Sequence, residues 1–269
     1  MSAFRRKAAA LVGADEQRVE RLAGGDLSEV LLLSRADGGM VVAKGGPAPG
    51  SEAGMLRALA AAGVPAPQVE GEHDGVLLIE HVANDGLFSI RAWADIGQWL
   101  RQLHSRRDDQ YGWAVDYALG TVQMDNRQGG DWPGFWFGQR LAATASMLDR
   151  PWRERVEALV GRTAAMLADP PPPSLLHGDL WTGNILVREG RLAALIDPAC
   201  YYGDSEVDLA MLTLFDTPPA EFWDSYGPLR HGWQQRRPLY QLFPALVHLR
   251  LFGGGYAALA DRLFNELGA

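Results

Sequence analysis

LLHGDLWTGN, Leu175 to Asn184, is the stretch on which the reading of this chain turns. Two short apolar runs, Leu175–Leu176 and Ile185–Val187, flank a polar loop that carries His177, Gly178, Asp179 and, five residues later, Asn184. The second run leads through a turn at Glu189-Gly190 into LAALID, so that a second carboxylate, Asp197, follows a further strand. The pattern predicts two carboxylates at the mouth of one small hairpin system, with an amide between them. Asp and Asn oxygens are hard ligands that suit Mg²⁺. One carboxylate must stay off the metal if it is to take a proton from a hydroxyl.

His177-Gly178-Asp179 followed by Asn184 keeps the spacing of a protein-kinase catalytic loop, in which a second Asp holds metal. That second Asp is Asp197, and Pro198-Ala199 stands where a protein kinase has Phe-Gly, which points to the small-molecule branch of the fold. Upstream, Lys44 closes the strand MVVAK, as a phosphate-binding lysine would, and Glu52 opens the next helix where its partner belongs. AGGDLSE, with Gly24, Gly25 and Ser28, lies in the hairpin before that strand, the place of a loop over ATP phosphates, although it lacks G-x-G-x-x-G. LLIEHV, Leu77 to Val82, brings the backbone of Glu80 and Val82 to the place of an adenine edge.

Around these motifs the chain changes texture. A helix is expected over 5–20, then strand, turn and strand over 18–35, and a hairpin turn at Ala36–Gly39. A helix from Ser51 to Ala62, with Ser51 as its N-cap, precedes a turn at Asp74-Gly75 and a strand over Val76–Ile79. Helices follow over 88–105, 135–149 and 155–169, and from Ser205 onward the chain reads as helical, broken at Gly227-Pro228 and Arg237-Pro238. The expected fold class is α+β: a bilobal, protein-kinase-like fold with a strand-rich ATP-binding lobe over 1–82 and a helical catalytic and acceptor-binding lobe over 83–269.

Bulk composition narrows the partners. The 269 residues carry a net charge of −8, which argues against a nucleic-acid partner. The single cysteine, Cys200, permits no intramolecular disulfide. The apolar stretch near the N-terminus is too short for a signal peptide, and no run approaches the roughly 20 apolar residues of a membrane span. A cytoplasmic protein is expected, with no membrane partner.

Beyond the shared loop, the chain resembles the fructosamine kinase (ketosamine 3-kinase) family. LLHGDLWTGN is similar to its HGDLW-x-GN, IDPACYYGDSEVDLAM to its D-P-A-x-x-Y-G-x-x-E-x-D-L-A stretch, and YGWAVDYALGTVQMDN with DWPGFWFGQRL to its middle segment. VHLRLFGGGY resembles its late helix-and-glycine signature. The resemblance implies ATP- and Mg²⁺-dependent phosphorylation of the 3-hydroxyl of a ribulosamine, erythrulosamine or fructosamine, free or protein-bound, in deglycation repair. It implies that Asp179 is the catalytic carboxylate, Asn184 and Asp197 the metal ligands, Lys44 the phosphate lysine and Glu52 its partner. It places Trp181, Asp131, Trp132 and His248 near the sugar. Asp26 stands where eukaryotic members often have a cysteine, and Val247 and Arg250 where the late motif often has Asn. An aminoglycoside or choline-type phosphotransferase, and a nucleotide-binding pseudokinase, are the alternative readings.

Overall fold

The structure is a computed structural model that describes residues 2–15, 19–22, 29–46 and 48–269. Helix α1 (Ala3–Val12) precedes strands β1 (Val19–Arg21), β2 (Val30–Ser34) and β3 (Met40–Lys44). Helix α2 (Pro49–Ala61) leads to β4 (Val69–His73) and β5 (Val76–Glu80). The five strands form one antiparallel sheet in the order β1-β2-β3-β5-β4. Alternation along the strands assigns its two faces. Val41, Ala43, Val76 and Leu78 pack with Ala8 and Ala9 of α1. Val42, Leu77 and Ile79 pack with Ala53 and Leu56 of α2.

The remainder is mostly helical. Helix α3 (Ile90–His104) is followed by the hairpin β6 (Tyr117–Leu119) and β7 (Val122–Met124), then α4 (Trp132–Gly134), a π-helical segment (Phe135–Ala142) and α5 (Ala143–Ala145). Next come α6 (Arg150–Glu157), α7 (Val160–Met166), β8 (Ser174–Leu175), β9 (Ile185–Arg188), β10 (Arg191–Leu195) and β11 (Tyr202–Gly203). Helices α8 (Glu206–Phe215), α9 (Ala220–Tyr226), α10 (Trp233–Phe252) and α11 (Ala257–Leu267) complete the chain. One large core joins these elements and takes in Met55 and Leu59, so α2 packs on both the sheet and the helical part. Among the described residues no helix is long and apolar enough to cross a membrane.

The structure corrects several expected boundaries. The helix expected over 5–20 stops at Val12, because Gly13 adopts a left-handed conformation that closes the helix end. Helix α2 starts at Pro49, whose fixed φ and missing N–H suit a first turn, so Ser51 is inside the helix and caps nothing. The helix expected over 155–169 is split between α6 and α7. Arg237-Pro238 does not break the last part. Helix α10 runs through Pro238 and Pro244, with most of its residues buried, and that burial outweighs the lost backbone bonds. The two strands around the Asp179 loop do not form one hairpin: β9 pairs with β10, whereas β8 pairs with β11.

Candidate active site

The parity of β3 builds the first half of the site. Val42 faces α2, so Lys44, two residues on, faces α2 as well. There its ammonium meets Glu52, which lies one helical turn before Leu56 on the buried side of α2. The same ammonium contacts Asp197, which follows β10 and has a left-handed backbone, a conformation that Asp adopts more readily than most residues. Lys44 is buried; burial opposes its charge, but Glu52 and Asp197 outweigh that penalty and hold its pKa above the ordinary lysine value. Burial lifts Glu52 above the ordinary carboxylate value; Lys44 counters this and Asp197 adds to it.

The loop carrying Asp179 is held from below by a residue that the sequence reading passed over. Asp208 of α8 is fully buried and accepts the N–H groups of His177 (2.7 Å) and Gly178 (2.8 Å). Its Oδ2 also accepts from His104 Nε2 at 3.0 Å, and the Tyr226 hydroxyl donates to His104 Nδ1 at 2.9 Å. Burial alone would raise the pKa of Asp208; the His104 hydrogen bond and the neighbouring imidazoles prevail and keep it below the ordinary carboxylate value. Gly178 is required by geometry. Its φ is +82°, and a Cβ there would lie 1.9 Å from the Ala199 carbonyl oxygen. That carbonyl also accepts from the Tyr117 hydroxyl at 2.6 Å.

His177 orients this loop. Its Nε2–H donates to the Ile196 carbonyl at 3.0 Å, leaving Nδ1 to accept from the Asp179 N–H at 3.3 Å. Burial depresses its pKa, consistent with a neutral imidazole. Asn184 donates through Nδ2 to the Asp179 carbonyl (2.8 Å) and to Asp179 Oδ2 (2.9 Å). Among the described residues nothing donates to its Oδ1, so the amide oxygen is available to a cation. Burial pushes Asp179 up to about 6; Asn184 acts in the opposite sense, and Asp197 and Asp208 add to the rise. The raised value suits a group that must hold and release a proton near neutral pH.

Lys44, Glu52, Asp179, Asn184 and Asp197 open onto one cleft with a cavity volume of ≈ 380 Å³. Trp181 and His248 also line it, together with Phe215, Phe252, Tyr256 and the tip of the β6–β7 hairpin, which were not singled out from sequence. Trp132 is not brought there. It is fully buried, and its Nε1–H donates to the Tyr240 hydroxyl, which in turn donates to the buried Asp204. Asp131 caps α4 by accepting the Gly134 N–H, away from the cleft. Glu80 spends its N–H on the Gln68 carbonyl and its carboxylate on the Gln68 N–H. Val82 lies just past β5, and its peptide groups have no hydrogen-bond partner among the described residues. Gly24, Gly25 and Ser28 lie outside the described residues.

An antiparallel five-stranded sheet joined to a helical part, with these groups gathered in the cleft, is a protein-kinase-like fold. Its likeness extends to a thermostable mutant of the aminoglycoside phosphotransferase APH(4)-Ia in complex with ADP and hygromycin B. There the TM-score is 0.66 at 16% identity, over 98% of this chain and 99% of the other, and the likeness is one of fold. The chain belongs to the fructosamine kinase family, which it matches over residues 12–268. A probable ketoamine kinase of Thermus thermophilus is 36% identical over 245 residues, 87% of this chain and 88% of the relative. A candidate fructosamine-3-kinase of Thermobifida fusca superposes with a TM-score of 0.86 at 31% identity, over 99% of both chains. With several other curated relatives the match spans only 62% of the relative's length.

Proposed function

We propose that this chain is an ATP-dependent kinase for the 3-hydroxyl of a ketosamine, acting in deglycation repair in a reducing cytoplasm. The observation that carries the reading is the placement of Asp179, at about 6, in one cleft with Lys44, Asn184 and Asp197. The names of the Thermus and Thermobifida relatives support the acceptor class.

In this reading residues 1–82 hold ATP and residues 83–269 hold the acceptor and the catalytic loop. The peptide groups of Val82, without a hydrogen-bond partner among the described residues, serve the adenine edge. Lys44 transfers its ammonium from Asp197 to the phosphate oxygens while Glu52 keeps it in place. Asn184 Oδ1 and the carboxylate of Asp197 suit Mg²⁺, which is commonly held by one or two protein oxygens together with substrate phosphates. When bound, the ion supplies charge neutralisation at the phosphates. Asp179 accepts the proton of the acceptor hydroxyl as that oxygen bonds to the γ-phosphorus and the bond from phosphorus to ADP breaks. Asn184 holds the Asp179 carboxylate at 2.9 Å and so sets its direction. Most of the rate comes from positioning and electrostatics, because the transition state is loose.

ADP release from ATP and Mg²⁺ tests the reading, with ribulose-lysine, fructose-lysine, kanamycin and choline as separate acceptors and Asp179→Asn as the blank. Turnover of a ketosamine is expected. Turnover of kanamycin or choline alone would replace the acceptor class, and no turnover across the panel would favour a nucleotide-binding pseudokinase.

A further inference from the structure

The sheet face under α1 ends in a glycine, and an aromatic ring stands where its side chain would be. Strand alternation turns Val41 and Ala43 of β3 toward α1, so Gly45, two residues further, points the same way. A Cβ on Gly45 would lie 2.9, 3.1 and 3.2 Å from three ring carbons of Phe4, its nearest neighbours. Gly45 is not among the glycines with positive φ, so its backbone would accept an L side chain and the ring is what excludes one. Phe4 lies in the first turn of α1, four residues before Ala8 and on the face that packs against the sheet. Ala8 and Ala9 are buried there, and their small side chains let the helix approach closely enough for the ring to reach the strand end.

That strand end matters because Gly45 directly follows Lys44, and Gly45 and Gly46 line the cleft beside it. The Gly45 N–H donates to the Glu29 carbonyl at 3.0 Å, next to the Val30–Lys44 pair of the sheet. Glu29 closes AGGDLSE, the segment whose sequence suits a loop over ATP phosphates. The Ser2 hydroxyl donates to the Glu29 carboxylate at 2.9 Å, while Ser2 Oγ caps α1 by accepting the Arg5 N–H at 3.1 Å. The first turn of α1 therefore grips two points of the chain, Glu29 through Ser2 and Gly45 through Phe4. Further along, Arg5 donates to the Val19 carbonyl at 2.8 Å and Lys7 contacts Asp74 in the turn between β4 and β5, which fixes the helix on the sheet. The Lys44 ammonium leaves the opposite face of β3, so its reach is set by where this strand end stands. A displacement of about 1 Å at such a group can cost on the order of 100-fold in rate.

We propose that Phe4 is a positioning residue for the nucleotide: a wedge behind Gly45 that fixes the strand end carrying Lys44, and with it the Gly45-Gly46 backbone, against the ATP phosphates. Helix α1 thereby belongs to the nucleotide site, although none of its described residues lines the cleft. This inference rests on the ATP-binding part of the proposed function and is independent of the acceptor.

The test is the Kd of ATP with Mg²⁺, measured by isothermal titration calorimetry without an acceptor, for the parent, Phe4→Ala, Phe4→Leu, Gly45→Ala and the double variant Gly45→Ala with Phe4→Ala. Phe4→Ala should weaken ATP binding about tenfold and Phe4→Leu about threefold. Gly45→Ala should weaken it about tenfold, because the new methyl pushes the strand end away from the ring. The double variant should bind ATP severalfold more tightly than Gly45→Ala alone, because the methyl then takes the room that the ring leaves. A side chain that only stabilises the fold would lower Tm in each variant without this relief. A Kd within about twofold of the parent in both Phe4 variants, or defects that simply add in the double variant, overturns the role of Phe4 alone. If Phe4→Ala does not fold, Phe4→Leu and its combination with Gly45→Ala carry the same comparison. A parent that binds no ATP overturns the kinase reading and this inference with it.

Discussion

Asp179→Asn should abolish turnover and stabilise the folded protein above neutral pH, and the second effect can be worked from the structure. A carboxyl titrating at about 6 in the fold and at 3.8 in an unfolded chain binds protons more tightly when folded. Between those two values the native state carries more protons than the unfolded one, so this group makes stability fall as pH rises. The loss is absent below pH 3.8 and complete above pH 6. At about 1.36 kcal/mol per pH unit, the upper bound is about 3 kcal/mol. Asp179 is only half-buried at the cleft floor, so screening by solvent reduces this, and about 1–2 kcal/mol is expected. Asparagine can keep the hydrogen bond from Asn184 without the charge. Urea unfolding of both proteins without Mg²⁺ or nucleotide, at pH 8 and pH 4, isolates the term, because other titrating groups cancel in the difference. The variant should be the more stable at pH 8, and its advantage should shrink markedly at pH 4. Equal stability at pH 8, or an advantage independent of pH, would refute the argument that burial raises Asp179.

Two further substitutions probe the loop that presents Asp179. Gly178→Ala places a methyl against the Ala199 carbonyl at a positive φ, and a loss of about 3 kcal/mol is expected in urea unfolding, with turnover falling sharply. Asp208→Asn removes the ionised acceptor beneath the His177 and Gly178 N–H groups; stability should drop by about 3 kcal/mol. Its kcat should fall further than its KM for ATP rises, since Asp208 lies away from Lys44; an unchanged kcat would show that the loop does not depend on this support.

The polar groups of the candidate site were legible because they are written in local spacing. His177, Gly178, Asp179 and Asn184 share one loop, Asp197 follows a strand, Lys44 ends another, and Glu52 lies in the first turn of a helix. Strand alternation alone sends Lys44 to the face where α2 packs. Asp208 belongs to the family-like stretch IDPACYYGDSEVDLAM, but its role depends on α8 passing under the loop, and no periodicity reports that. Nothing near His104 in sequence points to Asp208 or Tyr226, which are joined to it by packing between α3, α8 and α9.

Trp132 and His248 show the division most plainly. Both are rings in family-like segments, and sequence treated them alike. Tertiary packing buries the first against Tyr240 and opens the second onto the cleft. The residue types and the spacing of the motif groups are local properties, so the sequence by itself determined the class of chemistry and the strand-then-helix order. Which aromatic rings line the cleft depends on how distant helices cross, and only the tertiary structure decided that, because burial is set by the neighbours that folding supplies.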